Sequence, residues 1–294
     1  MKMLKNTFLL TSFLLFLAGS SSADFLDDFQ AASRLRQNRK HQAAAEAYEK
    51  LGKGQKDANL ADLCYLYASE TLAAGRKFDA ALEAANAVRD PAIREYARMQ
   101  VFHVCGKIRQ LRETFKGADI SKWPDQYAYR GYYMRGIATP GADGIRDLEL
   151  AQAGAGSDTL IRDAARRYLA EKLIQQKKID QAHAVLDQLI ATGFKEAASY
   201  MVGVRAKALL LAQEKKFEEA DKMLALLDRK GNWKKNQYFW FLLTKARIET
   251  EKGHLDAAEK LYDEAFAQKG ISPGTLSSQK KEAAGTFPKY KEKK

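Results

Sequence analysis

The chain has 294 residues, of which 46% are hydrophobic, so it can bury a sizeable core in one or two domains or in one repeat array. Its five prolines are too few and too unevenly spread for an all-β protein, and none lies between Pro140 and Pro273. The formal net charge of +12 favours an acidic protein, an acidic polymer or an anionic lipid as partner, without selecting one of them.

Residues 1–23 predict a signal peptide. Lys2 and Lys5 precede an apolar run from Phe8 to Leu17, and small residues follow at Ser21 and Ala23. This order is typical of a secretory signal cleaved after Ala23. The apolar run is too short for a bilayer, which needs roughly 20 residues, and no cysteine follows it to carry a lipid. We expect export to a Gram-negative periplasm, with secretion as an alternative and a retained membrane anchor as a further one.

A short pattern recurs along residues 24–269. A large apolar residue is followed three places later by alanine and usually, four places after that, by another large apolar residue, which puts all of them on one helical face. The alanines are Ala44, Ala81, Ala182, Ala220 and Ala258. Twelve residues before each of them stands a small residue: Ala32, Ser69, Ala170, Ala208 and Ala246. The pattern predicts pairs of closely crossing helices joined by a short polar turn.

These residues resemble the tetratricopeptide repeat family, whose usual period is about 34 residues. Bulky residues near the start of the first helix agree with it at Tyr65, Val204 and Leu242, and Gly75 and Gly253 fit the turn within a pair. The tryptophan usual in that family is absent. The resemblance implies an all-α, right-handed superhelical solenoid of about six to seven stacked antiparallel helix pairs. It also implies a concave surface, lined mainly by the first helix of each pair, that binds peptides.

The middle of the array, residues 91–128, follows the pattern less well. Pro91 to Gly117 predicts a divergent or broken pair, and Gly117 to Asp125 predicts a loop. Residues 132–151 resemble a pair with a shortened turn. The helix that comes next is expected to be capped by Ser157 or Asp158.

Beyond Gly270 the pattern stops. Residues 270–294 contain six lysines and two glutamates, which predicts a basic, disordered tail. A short capping helix from Ser277 to Ala284 is the alternative.

No residue pattern predicts catalysis or a metal site. The four histidines are scattered without metal-ligand spacing, and no serine lies in a G-x-S-x-G motif. Cys64 and Cys105 form no C-x-x-C motif and are expected to be small buried residues. We therefore expect no catalytic residue, no metal and no cofactor.

The resemblance implies which residues face the concave surface. First-helix residues beside the packing face are, by register, Arg130, Tyr133, Arg167, Arg205, Trp240 and Arg247, with Glu171, Leu209 and Leu243 beside them. Arginine binds carboxylates bidentately, and aromatic rings provide apolar anchors. The alternative is that the arginines are ordinary surface residues and the aromatics belong to the core.

The asparagine with which chaperone-docking members of the family bind a C-terminal carboxylate is absent. Glu70, Glu171, Leu209 and Arg247 occupy the matching places. The run Tyr238–Phe241 points around a whole helix, and we expect neighbouring structure to cover it.

The sequence therefore predicts a non-catalytic scaffold or adaptor of the cell envelope. Its expected partner is another protein or peptide segment of acidic character, and an envelope complex is the expected setting; no specific nucleic acid is expected. The alternative is a protein that binds an anionic polymer or membrane surface through its basic surface and lysine-rich tail.

Overall fold

The structure is a computed structural model that describes residues 22–192, 198–228 and 236–291. This part of the chain contains fifteen α-helices and no β-strand, which confirms the all-α class. The predicted signal peptide lies outside the described residues, except for Ser22 and Ala23 at the start of the first helix.

The chain divides into two compact units, and the boundary lies between Gly154 and Ala155. The helices of the first unit are α1 Ser22–Gln37, α2 His41–Gly54, α3 Ala58–Ala74, α4 Phe78–Asn86, α5 Pro91–Val104, α6 Ile108–Phe115, α7 Asp125–Ala138 and α8 Gly141–Gly154. Those of the second unit are α9 Thr159–Gln175, α10 Ile179–Thr192, α11 Ala198–Gln213, α12 Phe217–Ala225, α13 Gln237–Glu251, α14 Leu255–Phe266 and α15 Pro273–Ala283.

Consecutive helices pack as pairs in each unit. In the first unit α1 packs on α2, α3 on α4, α5 on α6 and α7 on α8; in the second, α9 packs on α10, α11 on α12 and α13 on α14. The first helices also contact one another in sequence, α3 with α5 and α5 with α7, and then α9 with α11 and α11 with α13. Each unit is thus a stack in which neighbouring pairs share a core.

Small residues stand where paired helices cross, as the sequence pattern predicts. All ten of the alanines and small residues that define the pattern are at most 1% exposed. Because they lack bulk, the two backbones approach closely and larger neighbours fill the space on either side. The divergent pair α5–α6 is intact and differs at this crossing, where Met99 and Leu111 occupy the two places and are fully buried.

The pair α7–α8 has the predicted shortened turn and uses glycine at its crossing. A Cβ on Gly136 would lie 2.8 Å from the side chain of Leu148, and a Cβ on Gly144 would lie 2.0 Å from the carbonyl oxygen of Thr139. Arg135 adds a bidentate ion pair to Asp147, with N–O distances of 2.7 and 2.8 Å. Larger residues at either glycine would force these two helices apart.

One turn geometry recurs within the pairs. Six turns of the described part place a residue of positive φ, from 58° to 81°, two places before the second helix begins: Arg39, Arg76, Gly106, Lys177, Lys215 and Gly253. The next amide donates to the carbonyl five residues back, as Lys77 does to Leu72 at 3.0 Å. This is the Schellman end of a helix. The left-handed residue at the predicted Gly75 turn is therefore Arg76, since Gly75 itself has a φ of −77°.

Basic residues at two of these strained positions reach the following pair. The guanidinium of Arg76 donates to the carbonyl of Val104, where α5 ends. The ammonium of Lys215 lies 3.0 Å from the carboxylate of Glu251, at the end of α13. A cation is favourable beside the exposed carbonyls of a helix C-terminus, so these side chains link neighbouring pairs in a way that glycine could not.

The loop after α6 and the start of α9 follow their predictions in part. Gly117 to Pro124 lies between helices and includes the 3₁₀ turn Ile120–Lys122, whereas Asp125 already begins α7; Ile120 and Trp123 are buried. The side chain of Asp158, one of the two predicted caps, accepts a hydrogen bond from the amide of Ile161 at 3.2 Å.

The tail differs from the disorder expected for it. Ser272 caps α15, which begins with Pro273, and Ala283 and Phe287 are 4% and 7% exposed. The ring of Tyr290 packs against Phe266 with a centroid distance of 5.0 Å. The capping-helix alternative is closer, although the helix begins four residues earlier than Ser277. The disorder was predicted from the many lysines. That composition hides the helix start at Ser272 and Pro273 and the apolar residues, such as Phe287, that pack on the end of the second unit.

Candidate binding surface

The six predicted surface residues fall into both units. Arg130 and Tyr133 lie on α7 of the first unit. The other four lie on α9, α11 and α13 of the second unit. We call the second group, Arg167, Arg205, Trp240 and Arg247, the arginine surface.

Arg205 is the centre of the arginine surface. Its guanidinium carbon lies 4.9 Å from the centroid of the Trp240 ring, in cation–π geometry. Its Nε is buried and has no hydrogen-bond partner among the described residues. Partial burial, and then the positive charges of Arg247 and Arg167, lower the pKa of Arg205 to about 10. A half-buried cation without a partner is stabilised by any anion that reaches it.

The register of α11 explains this position. Arg205 stands three residues before Ala208, which is fully buried at the helix crossing. At the same distance from the crossing in the first unit stand Phe29 and Leu66, which are 1% and 3% exposed. Helix α11 therefore carries a guanidinium at a place where α1 and α3 carry core residues.

The two outer arginines have partners of their own. Arg167 lies 3.4 Å from the carboxylate of Glu171 on the same helix, and its guanidinium stacks on Tyr168 at 3.7 Å. Arg247 donates to Glu282 at 2.6 Å and to Gln279 at 2.8 Å, both on α15. These contacts show that the surface pairs with carboxylates, while Arg205 forms no such pair within the described residues.

A cavity of about 170 Å³ opens beside Arg205. Its walls are largely apolar. They come from the beginnings of α11 and α13 and from the turn that follows α12. They include Ala198, Met201, Val202, Leu227 and the ring of Trp240. The cavity therefore combines an apolar volume with one cation that lacks a partner.

The first unit carries a different cluster on its first helices. Arg36 on α1 forms an ion pair with Glu70 on α3 at 3.0 Å and lies 5.3 Å from the centroid of the Tyr67 ring. Burial lowers the pKa of Arg36, but the carboxylate of Glu70 outweighs it, so the pKa is raised overall. The predicted surface residues begin at Arg130 and do not include Arg36 and Tyr67, which lie on α1 and α3.

Arg130 and Tyr133 are engaged within the first unit. The Nε of Arg130 donates to the hydroxyl of Tyr129 at 2.9 Å. The ring of Tyr133 meets that of His103 edge-on, with a centroid distance of 5.8 Å. Unlike Arg205, these two predicted surface residues have their side chains held by neighbours of the same unit.

The run Tyr238–Phe241 is covered only in part, since Phe239 is buried while Tyr238, Trp240 and Phe241 are half-exposed. Phe239 is 1% exposed, and Tyr238 donates its hydroxyl proton to Glu264 on α14. Trp240 meets Phe239 edge-on, with a centroid distance of 5.1 Å, and the guanidinium of Arg205 lies over its ring. Trp233, which precedes the run, lies outside the described residues.

Cys64 and Cys105 are free thiols; Cys64 is fully buried, which raises its pKa to about 12, and Cys105 is half-buried. No cluster of three or more histidine, cysteine or acidic side chains in the described part of the chain has the arrangement of a metal site. Among the same residues, no helix has the length and apolar character needed to cross a bilayer.

Comparison of the chain with models of known families, with curated proteins and with solved structures finds no match.

Proposed function

We propose that this protein is a non-catalytic scaffold that binds a segment of another protein on the arginine surface. The observation that carries the proposal is Arg205, a half-buried guanidinium with a lowered pKa, no carboxylate partner among the described residues and an apolar cavity beside it. A core that only needed volume there is better served by an apolar side chain, as the first unit illustrates with Leu66.

The energetics favour an acidic partner. A hydrogen bond to a charged group contributes about 1.5–3 kcal/mol, and more of it is realised where water is excluded. Arg167 and Arg247 add positive potential around Arg205, and Trp240 adds an apolar anchor. Aromatic and arginine side chains of this kind dominate binding at protein interfaces.

The finer fold and the location are part of the same proposal. The recurring crossings and turns support a right-handed tetratricopeptide-like solenoid of about six to seven pairs, in which the arginine surface lies on the concave side. The amino-terminal sequence supports export to the cell envelope.

The second candidate function is binding to an anionic polymer or membrane through the basic tail. Its support is the net charge of +12. Against it stands Lys289, which lies 2.7 Å from Asp263 and 3.0 Å from Glu259, so part of the tail's charge is already neutralised by α14.

The test begins with a photo-cross-linking residue placed in the full chain. At Leu209, on α11 beside the arginine surface, it should capture a defined protein from cells; at Lys222, exposed on α12, it should not. The captured protein is then purified and its affinity for the chain is measured with both components pure.

Two double variants with the same charge change decide the assignment. Arg167→Glu/Arg205→Glu should weaken binding at least tenfold, whereas Lys222→Glu/Lys260→Glu, on exposed faces of α12 and α14, should change it less than twofold. Equal losses in both, together with release by moderate salt, would reject the arginine surface in favour of the polyelectrolyte reading.

A further inference from the structure

Helix α15 holds the sequence register of a first helix, although no further α-helix follows it in the described residues. The spacing is 38 residues from Ala208 to Ala246 and again from Ala246 to Ala284, and Ala284 is 9% exposed. By register, α15 therefore continues the row of first helices that carries the arginine surface. Its side chains can reach α13, which is the preceding first helix.

The contact between α15 and the arginine surface is made by one carboxylate and one amide. The guanidinium of Arg247 donates to Glu282 at 2.6 Å and to Gln279 at 2.8 Å. A carboxylate of a partner protein would use the same guanidinium in the same way. Glu282 therefore occupies one arginine of the surface from within the chain, while Arg205 has no carboxylate partner among the described residues.

Helix α15 is held less firmly than the helix it contacts. Ala283 is the one buried residue among its eleven, whereas α13 has six buried residues. The side chain of Glu282 is 57% exposed and that of Arg247 is 27% exposed. Few buried contacts lower the local stability of a segment, and an exposed ion pair is weak. A competing carboxylate can therefore reach Arg247 and replace Glu282.

The segment that follows α15 keeps the helix close to the surface. The ring of Phe287 lies 5.5 Å from that of Tyr262, measured between centroids, and the ring of Tyr290 lies 5.0 Å from that of Phe266. Both partner rings belong to α14. These contacts do not involve Arg247, so α15 can release the guanidinium without leaving the second unit.

We propose that α15 is an internal competitor of the partner protein, in which Glu282 must leave Arg247 before a carboxylate of the partner binds there. The inference rests on the proposed protein-binding function and names how that binding is regulated. Arg205 offers the first contact, and Arg247 becomes available when α15 shifts. The chain then binds its partner more weakly with this contact intact than without it.

The probe is a fluorescein-labelled peptide of four glutamates around one phenylalanine, amidated at its end. Its binding to the full chain is measured by fluorescence anisotropy at constant salt concentration. Glu282→Gln should bind the probe about threefold more tightly than the unchanged chain, because an exposed ion pair no longer competes. Gln279→Ala, which removes the other hydrogen bond without changing the charge, should bind it about twofold more tightly.

Glu218→Gln is the matched control, because it removes the same charge from an exposed place on α12. It should change the affinity by less than about 1.5-fold. Hydrogen exchange gives a second readout: a saturating concentration of the probe should make the amides of α15 exchange faster in the unchanged chain, because Glu282 no longer holds the helix to α13. Circular dichroism checks that each variant is folded.

Two results would overturn the inference. One is an affinity of Glu282→Gln no higher than that of Glu218→Gln; the other is slower exchange in α15 when the probe binds, since the helix would then belong to the binding site. If Arg167→Glu/Arg205→Glu abolishes binding while Glu282→Gln does not raise it, the binding surface stands and the competitor is rejected. Absence of binding to both the unchanged chain and Glu282→Gln also rejects the competitor, and cross-linking at Leu209 then decides the proposed function alone.

Discussion

The first helices of the two units each hold a half-buried arginine, and the surroundings of the two arginines are opposite. In the first unit Arg36 is neutralised by Glu70 at 3.0 Å, and the pair lies against Tyr67. In the second unit Arg205 meets two further arginines and an aromatic ring, and its pKa is lowered to about 10. A satisfied ion pair supports a fold, whereas an unsatisfied cation beside a cavity weakens the fold and is explained by a ligand.

The largest expected effect comes from breaking the satisfied pair. Glu70→Ala leaves the Arg36 guanidinium partly buried without its carboxylate, which should lower the free energy of unfolding by about 2 kcal/mol. The measurement is urea denaturation of the full chain followed by circular dichroism. Glu113→Ala, at an exposed place on α6, is the matched control and should change the free energy by less than about 0.5 kcal/mol. Equal behaviour of the two variants would remove the contrast between the units.

A smaller effect is expected at the strained turns. Lys177 has a φ of 58° at an exposed position in the turn between α9 and α10. Lys177→Gly should raise the free energy of unfolding by up to about 1 kcal/mol, because glycine adopts this conformation without steric cost. Thermal and urea denaturation measure it. A loss of stability would show that the lysine side chain contributes more than its backbone strain costs.

Arg76→Gly makes the same change at another left-handed position. It should leave the free energy of unfolding nearly unchanged, in contrast to Lys177→Gly. Glycine relieves the strain at a φ of 62°, but the variant loses the hydrogen bond from the guanidinium to the Val104 carbonyl. The two contributions are each about 1 kcal/mol and opposite in sign. A gain as large as that of Lys177→Gly would mean that the link to α5 contributes nothing.

The smallest effect concerns pH and the C-terminal segment. Lys289 and Tyr290 lower the pKa of Asp263, so the folded state holds this carboxylate ionised more strongly than the unfolded state does. The stabilisation is present above the ordinary pKa of an aspartate, about 3.9, and is lost as the pH falls through the lower folded value. The protection of the amides in residues 286–291, measured as the exchange rate relative to the intrinsic rate at each pH, should therefore fall in acid. Asp263→Asn should remove that dependence; an unchanged profile would contradict the role of this ion pair.

Most of the fold could be predicted from the sequence because it depends on local periodicity. The alanine spacing marked five crossings, and each proved to be fully or almost fully buried, as at Ala81 and Ala208. The turn geometry was missed because a left-handed residue is expected to be glycine, whereas Arg76 and Lys215 take that conformation and bind the next pair. The ordered tail was missed because Phe287 and Tyr290 are few among many lysines.

For the candidate site, the sequence predicts only which residues share one face of each helix. Helical register placed Arg205 and Trp240 beside the packing surface, and the structure brings them together. Register cannot say which arginine has a partner, because Glu282 is 35 residues from Arg247 and reaches it only through the fold of α15. It also gave no sign of the cavity, whose walls come from three helices.

The most direct test of the account is the stability of Arg205→Met beside that of Glu70→Ala. Methionine matches the length of the arginine stem, packs well on an aromatic ring and carries no charge to bury. The account predicts that Arg205→Met unfolds at the same or a higher urea concentration than the unchanged chain, while Glu70→Ala unfolds at a lower one. A loss of stability in Arg205→Met as large as that in Glu70→Ala would show that the fold itself requires the guanidinium, and would contradict the claim that it is kept for a ligand.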